Sequence, residues 1–398
     1  MIEMINLKNV TEEMLETSMP INLENKKVVI FGAGNAGKEF IELFPHKCEY
    51  IIDNDSTKWG TTMAGLPIYG IQKIENEKKD ELFVIVTSMY YEEISGQLRD
   101  IYLKENINFT NGNQFLIEIS KNYYTNLHKD APTMKKISLD ELNNIQKELN
   151  HIGIQVQDYC INIRKFGEFK TKYMEVCQGY SNHGESIQDE KILEHFIAYE
   201  RMDVEGYSKN DIYIDVAAGH NVWAKLLREK NKIQSFAIDL NIAESLKEYN
   251  YYLEQDATNT NFEDESVSGM SLQCAFEMFM YDDDKNLILE ASRILKKGGK
   301  LVISPLYLNT HYCSSCSPEY YNRGLSDPEA IEYLRINSWG IPSSRHYDSK
   351  NLFSRILKTI EECGMQYKIY RIRNLDDINE GLYLNFLLEI TKCDYRGE

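Results

Sequence analysis

One stretch, Asp211 to Leu240, DIYIDVAAGHNVWAKLLREKNKIQSFAIDL, constrains the fold more than any other. Asp211 to Val216 is β-rich and apolar, as a strand buried on both faces must be. The small residues Ala217, Ala218 and Gly219 follow, and then Trp223, Leu226 and Leu227 recur at helical spacing. A second apolar run, Ser235 to Ile238, ends on Asp239. In a βαβ unit a carboxylate in that place lies close to the turn after the first strand, where it can accept hydrogen bonds from both hydroxyls of a ribose. The pattern predicts a parallel α/β sheet with a nucleoside-bearing ligand beyond the ends of its strands.

The turn has the form Asp215-x-x-x-Gly219, one acid at the strand's end and then a glycine. Glu254-Gln255-Asp256-Ala257-Thr258 follows a short strand, Phe262 to Val267 leads into another, and Ser271-Leu272-Gln273 stands at its end. Leu295 to Ile303 then reads as a helix end, a glycine turn at Gly298-Gly299 and a fifth strand. In order and spacing this resembles the class I S-adenosylmethionine (SAM) methyltransferases over about the last half of the chain. The resemblance implies a seven-stranded sheet, with antiparallel strands at Gln366 to Arg371 and Tyr383 to Thr391 closing it. It also implies SAM as cofactor, contacted by Asp215, Ala217, Gly219, Asp239, Leu240, Asp256, Ala257 and Gln273. SAM has no pyrophosphate to cradle and instead needs close backbone approach and carboxylates near its methionine end. The sequence departs from the family pattern at Ala217 and Asn221, where glycines are common.

A second glycine motif lies near the start. Lys26 to Phe31 reads as a strand and runs into Gly32-Ala33-Gly34-Asn35-Ala36-Gly37, a complete G-x-G-x-x-G. Phe40, Ile41 and Phe44 continue at helical spacing, and the next strand, Glu49 to Ile52, ends at Asp53-Asn54-Asp55. Strand before, helix after and acid at the next strand's end are the context of a dinucleotide fingerprint, which makes Gly32, Gly34, Gly37 and Asp53 candidate ligand contacts. The other reading is that the glycines only permit a tight turn and close packing of helix on strand. With Lys58-Trp59-Gly60 and Gly65-Leu66-Pro67-Ile68, the first 110 residues or so resemble the small Rossmann-like domains of bacterial sugar- and polysaccharide-modifying enzymes. That resemblance implies a nucleotide or a nucleotide-linked sugar as ligand, with NAD(P) as the alternative.

At 398 residues the chain is long for one core. The expected layout is two Rossmann-like α/β domains, 1–120 and 186–398, joined by a helical connector, 121–185. In the connector, Ser138-Leu139-Asp140-Glu141 has the form of a capping box, and Leu142, Ile145, Leu149, Ile152 and Val156 form an apolar stripe. Hydrophobic and charged contents of 42% and 27% are globular values, and there is no apolar run of the roughly eighteen residues that a membrane helix needs. A soluble, cytoplasmic protein is expected. A net charge of -18 without a Lys/Arg block opposes a nucleic acid partner and leaves a small sugar or nucleotide-linked acceptor as the expected one. A homo-oligomer is compatible with the sequence.

Eight cysteines spread along the chain suit reduced thiols. Cys313-Ser314-Ser315-Cys316 has ligand-like spacing but no second pair nearby, so a flexible loop and no metal is expected. Asp282-Asp283-Asp284 reads as a solvated helix cap for similar reasons. Leu306 to Tyr347 lacks clear periodicity and is expected to form an acceptor-binding lid. Transfer to an oxygen acceptor calls for a general base, for which His311 and His346 are the candidates, and Arg345 could grip an acidic acceptor. His195 reads as a helix-surface histidine, and the irregular stretch from Lys170 to His183 carries no assignment.

Overall fold

The computed structural model describes residues 10–11, 13–14, 23, 25–43, 48–88, 90–180, 184–336 and 338–393, so Phe44, His183 and most of the first 24 residues lie outside the described part. The chain divides into two compact units. One comprises Met1–Thr133, Ser317–Tyr321 and Leu334–Ile341; the other comprises Met134–Cys316, Asn322–Tyr333 and Pro342–Glu398.

In the first unit, β1 (Lys27–Phe31), β2 (Cys48–Ile52), β3 (Thr62–Met63), β4 (Leu66–Tyr69), β5 (Leu82–Val86) and β6 (Phe109–Asn111) form one sheet in the order β3-β4-β2-β1-β5-β6. β1 is central and parallel to both β2 and β5. Its alternate residues serve opposite faces. Val28 and Ile30 pack with Phe40, Ile41 and Phe115, whereas Val29 and Phe31 pack with Ile94 and Leu98. Burial on both faces is why Val28 to Phe31 of β1 and all of β5 are runs of apolar residues.

The second unit contains β7 (Val156–Tyr159), β8 (Ile212–Val216), β9 (Gln234–Asp239), β10 (Tyr252–Glu254), β11 (Val267–Gln273), β12 (Leu295–Ser304), β13 (Cys313–Cys316), β14 (Ile331–Leu334), β15 (Ser344–His346), β16 (Met365–Ile372) and β17 (Phe386–Lys392). Its main sheet has the order β10-β9-β8-β11-β12-β17-β16-β7. β8 to β12 run parallel and β17 antiparallel to both β12 and β16. The chain steps outward from β8 in one direction through β9 and β10, then returns to its other side at β11. The carboxyl end of β8 is therefore the switch point where such sheets hold ligands.

The sheet has eight strands rather than seven. The eighth, β7, comes from the segment expected to be only a helical connector, and it pairs parallel with β16, Val156 facing Ile369 and Tyr159 facing Ile372. It covers an edge that β16 would otherwise present to solvent. The helix Leu139–His151 opens on the expected capping box and buries Leu142, Ile145 and Leu149 in the core of this unit, while Ile152 is 47% exposed.

Four other expectations are corrected. Leu306 to Tyr347 is not aperiodic, because β13, β14 and β15 form a small sheet in the order β14-β13-β15. Cys313 to Cys316 is one of its strands, buried throughout, not a flexible loop. Asp284 is fully buried, pairing with Arg345 at 2.7 Å and Arg355 at 2.9 Å and accepting from the Tyr347 hydroxyl. Arg345 also binds Asp327 at 2.8 Å and donates to the carbonyls of Phe279 and Tyr281, so its guanidinium is committed inside the unit. Among the described residues no group of three His, Cys, Asp or Glu side chains is placed to hold a metal ion, and no helix is long and apolar enough to cross a membrane.

Candidate functional site

A cavity of about 660 Å³ opens at the carboxyl end of β8, lined by Asp215, Ala217, Gly219, Gln273 and Cys274 from strand ends and by Lys191, Glu194 and His195 from the helix Glu185–Arg201. Ala217 at φ +56° and Cys274 at φ +50° are both left-handed, a conformation that costs a non-glycine residue about 1 to 2 kcal/mol. Each sits at the end of a cavity-lining strand. Strained backbone of this kind is found at functional sites, where the surrounding packing holds it in place.

Asp239 is locked by backbone donors. One carboxylate oxygen accepts from the Gly219 N–H at 2.9 Å and the other from the Asn241 N–H at 2.9 Å. Each oxygen keeps a further lone pair for an outside hydroxyl. Asp215, 1% exposed, has one carboxylate oxygen with no hydrogen-bond partner among the described residues. Burial, with the nearby Asp239 charge, pushes its carboxyl well above the usual carboxylate range.

Asn221 does specific work in the turn after β8. Its carbonyl oxygen accepts from the Trp223 N–H at 2.7 Å, which leaves its amide nitrogen to donate to His195 Nε2, also at 2.7 Å. His195 must then carry its proton on Nδ1. That atom is buried on the cavity wall without a partner among the described residues. At 1% exposure His195 is not a helix-surface histidine, and burial holds its ring neutral by lowering its pKa to about 3.

Lys191 Nζ lies 3.0 Å from both oxygens of Glu194. Burial nevertheless raises the Glu194 carboxyl to about 8, with neighbouring Glu190 and Glu277 adding to the effect against Lys191. Burial pushes the Cys274 thiol up to about 12.

Asp215, Ala217, Gly219 and Gln273 are thus brought together on one wall, with Asp239 bonded to it. Leu240 is 78% exposed, Ala257 is packed in the core, and Asp256 accepts from the Thr258 N–H and hydroxyl at 2.8 Å each; none of these three lines the cavity. His311 is bonded through Nε2 to the Tyr333 hydroxyl at 2.9 Å and through Nδ1 to Thr310 at 3.2 Å. His346 packs its ring against Tyr307, centroids 5.0 Å apart. Neither histidine lines the large cavity.

In the first unit a cavity of about 450 Å³ lies against Gly32, Gly34, Asp53, Lys58 and Ser88. Asp53 accepts from the Ala33 N–H at 2.7 Å and the Asp55 N–H at 2.8 Å, with Lys58 Nζ 3.1 Å away. Packing accounts for two of the glycines. A Cβ on Gly37 would lie 2.1 Å from the Gly32 carbonyl oxygen, and Gly32 has φ +127° with Thr87 Oγ1 2.8 Å from where its Cβ would be. Around Gly34 nothing stands within 4 Å.

Residues 214–303 match the family described as a methyltransferase domain, from within β8 to within β12, which takes in the cavity-lining turns after β8 and β11. Residues 24–107 match the N-terminal domain described as C2185-like. No curated protein matches the chain. Among solved structures, similarity extends to the 1,6-didemethyltoxoflavin-N1-methyltransferase of Burkholderia thailandensis, 11% identical, covering 66% of this chain and 94% of that one with a TM-score of 0.36. It extends also to the geranyl diphosphate C-methyltransferase of Streptomyces coelicolor, at 14%, 63%, 97% and 0.33 for the same quantities. A SAM-dependent methyltransferase of Archaeoglobus fulgidus gives 13%, 55%, 99% and 0.33.

Proposed function

We propose that this SAM-dependent methyltransferase acts on a hydroxyl of a small polar acceptor, a sugar or small glycan precursor, and that the cavity beyond β8 is its SAM site. The observation that carries the site is the pair of buried, unpartnered polar atoms on its wall, the Asp215 oxygen and His195 Nδ1. A buried polar atom left unbonded costs about 1 to 3 kcal/mol, which a bound polar ligand recovers. Asp215 is assigned to the cofactor's ammonium, Lys191 to its carboxylate and Asp239 to its ribose. When bound, SAM would supply a methyl group on a sulfonium for in-line transfer to the acceptor oxygen, with sulfur as the leaving group. The chain's contribution is alignment and exclusion of water, with a base to take the hydroxyl proton.

That base is assigned to one of the two histidines of the 306–347 segment. His346 is favoured because it borders Tyr307, whose hydroxyl lies 3.4 Å from Cys274 on the large cavity's wall. His346→Ala should cut turnover while SAM affinity stays within a few-fold, and His311→Ala should leave turnover close to wild type. Normal turnover in both variants on the true acceptor sinks the histidine base.

The first unit is assigned a nucleotide or nucleotide-linked sugar, with Asp53 and the Gly32 to Gly37 turn as its contacts. Gly34 supports this reading, since no neighbour in the fold requires a glycine there. Gly34→Val should therefore fold normally and lose that ligand, while SAM affinity is unchanged in calorimetric titration. Mass spectrometry of ligands retained on purification distinguishes a sugar nucleotide from NAD(P). Abolition of SAM binding by Gly34→Val would place the cofactor in the wrong half.

A further inference from the structure

The two polar atoms that stand without partners among the described residues on the wall of the large cavity are of opposite kind. One Asp215 oxygen can accept, whereas His195 Nδ1, which carries the ring's proton, can only donate. Such a pair matches a cation and an anion borne close together, as on an α-amino acid. With Asp215 given to the cofactor's ammonium and Asp239 to its ribose, the His195 N–H is left for the carboxylate. Lys191, assigned to the same carboxylate, precedes His195 by four residues on the helix Glu185–Arg201, so both side chains leave one face and line one cavity.

The donor is held in place from behind. The Trp223 N–H donates to Asn221 Oδ1 at 2.7 Å, so the Asn221 NH₂ must face His195 Nε2. Trp223 is itself fully buried, its indole N–H donating to the Tyr213 hydroxyl at 3.0 Å, and the His195 ring lies against it with centroids 4.9 Å apart. Protonating Nε2 would set an N–H against the amide's NH₂, so the geometry resists the imidazolium as burial does. Neutrality matters in this cavity, whose other titratable groups are Glu175, Lys191, Glu194, Asp215, His220 and Cys274. An imidazolium among those carboxyls would compete with the cofactor's ammonium for Asp215, whereas an uncharged N–H does not.

We infer that Asn221 is a positioning residue that holds His195 as an uncharged donor to the cofactor's carboxylate, and that His195 exchanges no proton during the reaction. This rests on the reading of the large cavity as the SAM site and adds to it the group that recognises the carboxylate beside Lys191.

Asn221→Asp provides the test. The introduced carboxylate still accepts from the Trp223 N–H and now also from Nε2, so the neutral ring turns a bare Nδ1 lone pair to the cofactor and only the imidazolium keeps the donor. S-adenosylhomocysteine and its decarboxylated analogue, which retains the ammonium, are titrated calorimetrically into wild type and variant from about pH 5.5 to about pH 8.5. The ratio of wild-type to variant affinity cancels the titration of Asp215 and Glu194, which both proteins share. For S-adenosylhomocysteine that ratio should rise at least tenfold across the range, as the variant's ring loses its proton near the ordinary imidazole value of about 6.5. For the analogue it should stay within threefold. A ratio flat in pH, or a rise shared by the analogue, overturns the inference and leaves the cofactor site standing; wild type that binds neither compound overturns both.

A second measurement does not depend on that variant. In nuclear magnetic resonance of the full chain with isotope-labelled histidine, the His195 ring, identified by its loss in His195→Gln, should show the neutral Nδ1–H form from about pH 6 to about pH 8. S-adenosylhomocysteine should shift its Nδ1 resonance and the decarboxylated analogue should not. The Nε2–H form, an imidazolium, or equal shifts from the two compounds overturns the inference.

Discussion

Asp215→Asn should abolish most SAM binding and yet give a more stable free protein. Asp215 is buried beside Asp239, so in the free protein its carboxyl holds a proton well above the usual carboxylate range. In the unfolded chain the same group ionises near 4. At a pH below that value both states are protonated and the group has no effect. As pH rises, the unfolded chain releases its proton while the native state retains it, and stability falls. Asparagine removes this loss, so the variant's melting temperature should exceed wild type by more at pH 8 than at pH 5. With SAM the sign reverses. Pairing with an ammonium requires the ionised carboxylate, and removing one partner of a buried charge pair costs about 3 to 5 kcal/mol, roughly a hundredfold to several thousandfold in affinity. SAM binding to wild type should accordingly release a proton, visible as a dependence of the calorimetric enthalpy on the buffer, which Asp215→Asn should lose. Unchanged SAM affinity in the variant, or no proton release in the wild type, removes Asp215 from the cofactor's ammonium.

What could be read from the sequence was local. The βαβ unit at Asp211 to Leu240 declared itself because parallel strands buried on both faces are runs of apolar residues, and because an acid at the end of the second strand is a short-range signal. The capping box at Ser138 was equally local, whereas the antiparallel pairing of β16 and β17 followed from the family resemblance. What escaped depends on distant partners. β7 is only Val-Gln-Asp-Tyr, with one buried residue, and becomes a strand by pairing with β16 more than two hundred residues later. The helix Glu185–Arg201 misled in the opposite sense. His195 read as a helix-surface residue, but it and Asp189, Glu190 and Glu194 are all buried beside Ile192, Leu193, Phe196 and Ile197, and Glu194 and His195 line the cavity. A clue was present, since these polar residues share a stretch with apolar neighbours that leaves no continuous solvent face. β13 escaped because its centre is Ser314-Ser315, small polar residues with no strand signature.

Asp239→Ala should weaken SAM binding about a hundredfold, with no comparable effect from Asp53→Ala in the first unit. A carboxylate that accepts from both ribose hydroxyls makes two charge-assisted hydrogen bonds, each contributing roughly 1.5 to 3 kcal/mol. Even at the lower value they sum to about 3 kcal/mol, which is about two decades in affinity. Asp239 also fastens the cavity loop through the Gly219 N–H at 2.9 Å, so alanine releases a donor at the cavity wall as well. Asp239→Asn separates the two effects. Its amide carbonyl can still accept from one backbone donor, but the other position becomes an NH₂ facing an N–H or a hydroxyl, so affinity should fall between wild type and alanine. Circular dichroism establishes that each variant is folded, and calorimetric titration of SAM gives the affinities. If Asp239→Ala binds SAM within threefold of wild type while Asp53→Ala loses it, the ribose is held in the first unit and the assignment of the two cavities must be exchanged.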